Sequence, residues 1–118
     1  MFSKMEFRLD TKKQANVGNP PVPIRLEEGN YNSLCKTEGS NPATDIQFFL
    51  DDVEETGVIT ALEDKDWTEP PPAWNVENTI ILTLNPTHTN KILKCVAMVS
   101  KDTSMKKEMS YKLDVYSG

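Results

Sequence analysis

Wherever apolar side chains cluster in this chain, they tend to recur at every second residue. Met5, Phe7 and Leu9 alternate with Glu6, Arg8 and Asp10; Val22, Ile24 and Leu26 alternate beyond a group of prolines; Met109, Tyr111, Leu113 and Val115 alternate with Ser110, Lys112 and Asp114. A period of two sends successive side chains to opposite faces of an extended strand, so each run buries one face and solvates the other. Helical spacing is almost absent, residues 62–67 admitting at most one turn.

The remaining runs extend the pattern. Gly18, Asn19, Pro20, Pro21 and Pro23 interrupt backbone pairing, since proline supplies no amide donor, so residues 5–10 and 22–26 read as one edge strand broken by a kink. A third strand is expected over residues 31–36, with Cys35. After the Asn41-Pro42 turn, Ile46, Phe48 and Leu50 share one face. Val58 begins a minor strand, Ile80, Leu82 and Leu84 share a face of the next, and Cys95 lies within another over residues 92–99. About seven or eight short strands separated by turn signals predict an all-β, antiparallel sandwich, with a closed barrel as the structural alternative.

A length of 118 residues suits a single domain, taken as residues 1–118 with its core at about 20–116 and an N-terminal edge strand near 5–10. Thirteen Lys and Arg against eighteen Asp and Glu give a net charge of −5, which argues against nucleic acid as a partner because that role needs a basic face. No apolar run approaches the roughly 17 to 25 residues of a membrane helix. Lys4, Glu6, Arg8 and Asp10 break any signal-peptide core, so a secreted protein would be represented here by a mature form or an excised piece.

Two cysteines, Cys35 and Cys95, and one histidine, His88, are too few for a zinc site. The cysteines either pair with each other or stand as two buried thiols, and neither sits in a CxxC arrangement or beside a basic activator. His88, in a turn with no nucleophile partner, reads as a solvent-exposed loop residue. The acidic stretch 51–69 lacks the glycine-containing loop of a calcium site and reads as a solvated edge. Lys101, Lys106, Lys107 and Lys112 form a basic cluster around the last hairpin, suited to an acidic partner or to an ordinary exposed loop. No catalytic residues, metal ligands or cofactor are expected. No Asn-x-Ser/Thr glycosylation acceptor occurs, since Asn85-Pro86-Thr87 is excluded by its proline.

Several phrases carry a family likeness. Glu28-Gly29 with Leu34-Cys35, Gly39-Ser40-Asn41-Pro42 leading into Ile46-Gln47-Phe48-Phe49-Leu50, and Leu82-Thr83-Leu84-Asn85-Pro86-Thr87 resemble the strand B, C and E passages of an immunoglobulin-superfamily domain. The likeness covers residues 20–116 and is similar to the constant-like type found in adhesion receptors such as nephrin, the kin-of-irregular proteins and sidestep. The resemblance implies a Cys35–Cys95 disulfide between facing sheets. It also exposes departures: the core tryptophan is replaced by Phe48, and the corner tyrosine by Leu93, which cannot make the tyrosine's hydrogen bond. Phe48, Leu82, Leu93 and Tyr111 are expected in the core. Alternation from Cys35 would turn Ser33 inward and Leu34 outward, so a bulge is expected there.

With Phe48, Leu93, Cys95, Ala97 and Val99 inward, alternation sends Phe49, Ile92, Val96 and Met98 outward on neighbouring strands, as an apolar patch suited to a protein partner. Covering loops, with Trp67 and Trp74 packed on the sandwich, are the competing expectation. The resemblance therefore implies a non-catalytic extracellular or cell-surface recognition module binding a protein partner, homophilic or heterophilic, within a larger multi-domain receptor. The alternative is an intracellular structural spacer with reduced cysteines.

Overall fold

In the computed structural model, which describes residues 4–10, 15–16, 20–66, 73–99 and 102–118, the alternating runs become nine strands in two sheets. They are β1 (Lys4–Leu9), β2 (Val22–Glu27), β3 (Gly29–Ser40), β4 (Thr44–Leu50), β5 (Val53–Glu55), β6 (Val58–Asp66), β7 (Ala73–Leu84), β8 (Ile92–Val99) and β9 (Asp102–Tyr116). One sheet runs β1-β3-β7-β6 and the other β2-β9-β8-β4-β5. Every pairing is antiparallel except β2 with β9, which is parallel. The result is an immunoglobulin-like β-sandwich. No helix among the described residues is long and apolar enough to cross a membrane.

The inward residues of both sheets meet around a Cys35–Cys95 disulfide with a Cα separation of 6.5 Å. Each half-cystine has an aromatic cross-strand neighbour, Phe7 opposite Cys35 and Phe48 opposite Cys95. Phe7 packs on Phe48 at 6.2 Å between ring centroids and on Tyr111 at 5.2 Å, both tilted, so two phenylalanines and a tyrosine fill the centre. Phe48, Leu82, Leu93 and Tyr111 are all buried. Side-chain bonds join the two sheets, and in one of them Tyr31 of β3 donates its hydroxyl to the Glu27 carbonyl of β2 at 2.5 Å. Tyr111 donates its hydroxyl to the Phe7 carbonyl at 2.7 Å, and the Thr37 and Thr44 hydroxyls bond at 2.6 Å. Burial pushes the Tyr111 phenol up to about 12.

The first strand departs from the expected single kinked edge. β1 pairs with β3 in one sheet while β2 pairs with β9 in the other, so the chain changes sheets between residues 9 and 22. No bulge falls at Ser33 and Leu34: strict alternation holds, Ser33 is 0% exposed, and the register shift comes at Thr37/Ser40. A serine is small enough to take an inward position beside the disulfide, and its hydroxyl has no hydrogen-bond partner among the described residues. The acidic stretch is also more regular than its composition suggested, contributing β5 and a nine-residue β6. The helical turn admitted near residue 62 is strand as far as Asp66. Adding β5 beside β4 departs from the seven-strand constant-type plan. Trp67, the proline triplet Pro70-Pro71-Pro72 and Lys101 lie outside the described residues; Trp74 is half-buried in β7.

Leu93 cannot tie down the corner between β7 and β8, and another set of groups does so. Residues 86–88 form a 3-10 turn in which the Asn85 side chain accepts from the Thr87 amide at 3.0 Å, while the Asn85 amide donates to His88 Nδ1 at 3.0 Å. This reciprocal capping box satisfies backbone donors that the turn leaves free. Thr89 Oγ1 then donates to the Val115 carbonyl and accepts from the Val115 amide, both at 3.0 Å. His88 is therefore a half-buried cap and not the solvent-exposed loop residue expected from sequence.

Candidate protein-interaction face

The β4–β5 hairpin builds one side of the candidate face. Leu50 pairs with Val53, leaving Asp51 and Asp52 as a two-residue loop with φ of 52° and 65°. Positive φ at both loop residues is the type I′ arrangement, whose twist matches that of paired strands, and aspartate tolerates it better than most non-glycine residues. Lys91 and Lys94 of the adjoining segment lie 3.8 Å from Asp51 and 3.7 Å from Asp52. These are exposed, weak pairs that bias the hairpin toward β8 without fixing it.

Across the outer face, residues align in rows. Phe49 lies between Glu54 of β5 and Lys94 of β8; Gln47 lies beside Val96 and then Glu108; Asp45 lies beside Met98 and then Lys106. Ile92 is opposite Lys112. Phe49, Ile92 and Met98 are half-buried on this face. Val96 is only 6% exposed, a correction to its expected role as an exposed anchor: its side chain points outward, but Gln47 and Glu108 flank it from both neighbouring strands. Lys94 interrupts the apolar row and places its ammonium 5.5 Å from the centre of the Phe49 ring, a cation–π contact. The face is thus an apolar–charged mosaic in place of the continuous apolar patch expected. The alternation that selected Ile92, Val96 and Met98 also selects Lys94, so this residue was available to sequence reasoning and was missed.

The outer face carries charges of both signs: Asp45 and Glu54 stand on β4 and β5, and Lys94, Lys106 and Lys112 stand with Glu108 and Asp114 on β8 and β9, Lys106 lying 3.5 Å from Glu108. β5 pairs with residues 48–50 alone, and the uncovered half of β4 borders a groove of about 750 Å³ lined in part by Asp45, Gln47, Leu62 and Met98.

The outer face of the other sheet carries ion pairs as well. Glu6 accepts from Lys4 at 3.2 Å and Arg8 at 3.3 Å, and Lys36 pairs with Glu38 at 3.1 Å, around a half-buried Leu34. The Glu38 hydrogen bond holds the Lys36 pKa above its ordinary value. Charges there are matched within the face, at short range.

No protein-family model matches the sequence, and no curated protein matches it. Solved structures do. A crystal structure of Rst D1-D2 matches with a TM-score of 0.65 at 15% identity, over 94% of this chain and 48% of that one. The full ectodomain (Ig1-Ig3) of mouse nectin-like molecule 4 matches with a TM-score of 0.56 at 22% identity, over 86% of this chain and 32% of that one. These likenesses are of fold, an immunoglobulin-like β-sandwich. This chain spans about half of the first structure and about a third of the second.

Proposed function

We propose that this chain is an extracellular recognition module, one immunoglobulin-like domain of a larger adhesion receptor, that docks a protein partner on the outer face of β4, β5, β8 and β9. The observation that carries the reading is the half-buried set Phe49, Ile92 and Met98, set among charges of both signs on one sheet face. Aromatic and methionine side chains at the centre of a polar rim are the composition of a protein-binding surface. The Cys35–Cys95 disulfide favours an oxidising compartment over the intracellular spacer, and a likeness to a three-domain ectodomain supports the multi-domain setting. No catalytic step belongs to this reading.

The test compares variants of the two faces. The domain, displayed on beads, is assayed against a panel of surface-expressed ectodomains, as wild type and as Phe49→Glu, Met98→Glu and the opposite-sheet control Leu34→Glu. Loss of binding by at least tenfold in the first two, with binding kept by the control and all melting temperatures within a few degrees, is the expected outcome. Equal binding by all four proteins would refute the assignment of this face. Intact mass after denaturing alkylation of native-source protein tests the compartment: free thiols without reductant would favour the spacer.

A further inference from the structure

We infer that the groove beside β4 takes an extended, basic segment of a partner protein as an added strand, at a site separate from the outer face proposed above. The backbone carries the inference first. β4 runs from Thr44 to Leu50, yet β5 pairs only with Phe48, Phe49 and Leu50 before the strand ends at Glu55. In an antiparallel ladder successive residues turn their amide and carbonyl toward alternate neighbours. The Asp51 amide donates to the Ile92 carbonyl at 2.9 Å, which assigns Asp51, Phe49, Gln47 and Asp45 to β8 and leaves Leu50, Phe48, Ile46 and Thr44 facing the other way. Leu50 and Phe48 meet β5, whereas no described strand pairs with Ile46 and Thr44 on that side. The amides and carbonyls of these two residues stand in line as a template for one more strand, the mode by which extended peptides join a sheet edge.

Side chains supply the specificity. The groove of about 750 Å³ lies along this edge and opens into the gap between the sheets. Thr44 and Ile46 share the inward side of β4 with the buried Phe48. On the facing sheet, register sets Ala61 opposite Asn78 and Glu63 opposite the buried Val76, so these β6 residues also hold inward positions, and all four line the groove. Glu63 is nevertheless exposed, because no described strand extends the other sheet past β4 at this level. A strand added to β4 lays its inward side chains over Ile46, Val76 and Ala61 and its outward side chains beside Asp45. The charge of the lining then selects the occupant. Asp45 and Glu63 are exposed carboxylates with no ion-pair partner among the described residues, and no cation lines the groove. Antiparallel pairing therefore calls for small apolar residues opposite Thr44 and Ile46 and for lysine or arginine opposite Asp45, with Glu63 adding to the attraction; an acidic segment sets like charge against both.

The probe is a seven-residue peptide of alternating lysine and valine, with lysine at each end and both termini blocked, followed by fluorescence anisotropy against the full chain at 50 mM salt. In the inferred register its valine amides face β4 and its lysine amides face away. Saturable binding is expected, with a loss of at least tenfold when the valines are N-methylated and binding kept when the lysines are N-methylated instead. Charge and side chains are the same in the two methylated peptides, and only the first lacks the donors for Thr44 and Ile46. Asp45→Lys combined with Glu63→Lys, both at exposed positions, weakens binding at least tenfold, while Leu34→Gln on the opposite sheet leaves it within twofold. Hydrogen exchange at the Thr44 and Ile46 amides slows when the peptide is bound. No saturable binding at millimolar peptide, equal binding by the two methylated peptides, an unchanged affinity of the double variant, or unprotected amides at Thr44 and Ile46 in the complex would each overturn the inference.

Discussion

Replacing Tyr111 with phenylalanine removes one oxygen from the centre of the sandwich and has an effect that changes with pH. The hydroxyl donates to the Phe7 carbonyl at 2.7 Å across a span of 104 residues, and the residue is fully buried. Phe7 O also accepts from the Ala15 amide at 3.0 Å, so the carbonyl keeps a partner in the variant. The cost then sits near that of one ordinary hydrogen bond, about 1.2 kcal/mol at pH 7, without the added penalty of an orphaned acceptor. A second contribution comes from ionisation. Burial, which outweighs the lowering effects of the Ala15 backbone and Arg8, raises the phenol from about 10 to about 12. The unfolded chain loses this proton first, so the stability Tyr111 provides is complete below pH 10 and declines as pH rises through 12. Linkage puts the decline at about 0.8 kcal/mol by pH 10.5 and about 1.4 kcal/mol by pH 11. Urea unfolding of both proteins should therefore show wild type ahead by about 1.2 kcal/mol at pH 7, by about 0.4 kcal/mol at pH 10.5, and level near pH 11. Other ionising groups are common to both proteins and cancel in the difference. A gap that stays constant from pH 7 to pH 10.5 would refute the claim that the buried phenol holds its proton, and no gap at pH 7 would refute the bond.

Three further outcomes are expected. Asp52→Gly should raise the urea midpoint by an amount equivalent to about 0.5 to 1 kcal/mol, since glycine takes the positive φ of 65° freely and the exposed pair with Lys94 contributes little; an unchanged or lower midpoint contradicts the type I′ assignment. His88→Ala should lower stability by about 1 kcal/mol and His88→Gln should recover part of it, because glutamine restores the acceptor of the capping box; equal losses in both variants would exclude capping by the ring. Double replacement of Cys35 and Cys95 by alanine should cost about 2 to 5 kcal/mol in a denaturant melt, in line with the loop closed over a separation of 60 residues.

Strand positions were legible because burial of one face leaves a period of two, as in Met5, Phe7 and Leu9 or Met109, Tyr111, Leu113 and Val115. Neighbours were not. The alternation of Val22, Ile24 and Leu26 gives an inward face but no partner, and its parallel pairing with β9 follows only from how the whole chain closes. β5 escaped because three residues carry no visible period and Asp51-Asp52 lacks the glycine that usually announces a two-residue hairpin. The candidate face shows the same limit: alternation predicts the direction of Val96, whereas its 6% exposure depends on the reach of Gln47 and Glu108. His88 was missed as a cap because Asn-Pro-Thr-His lacks the Glu or Gln by which a capping box is read in sequence.

The parallel β2–β9 ladder has a mechanical consequence. Because the two strands run in the same direction, tension applied at Val22 and Tyr116 slides one along the other, loading all six register pairs together instead of parting them one by one. Rupture under load then requires concerted shear. Even after it, the cross-link at Cys35 and Cys95 keeps the intervening 60-residue separation from extending, so only chain outside that loop can lengthen by about 3.4 Å per residue. A domain clamped this way limits how far its own chain lengthens under load before its core is exposed.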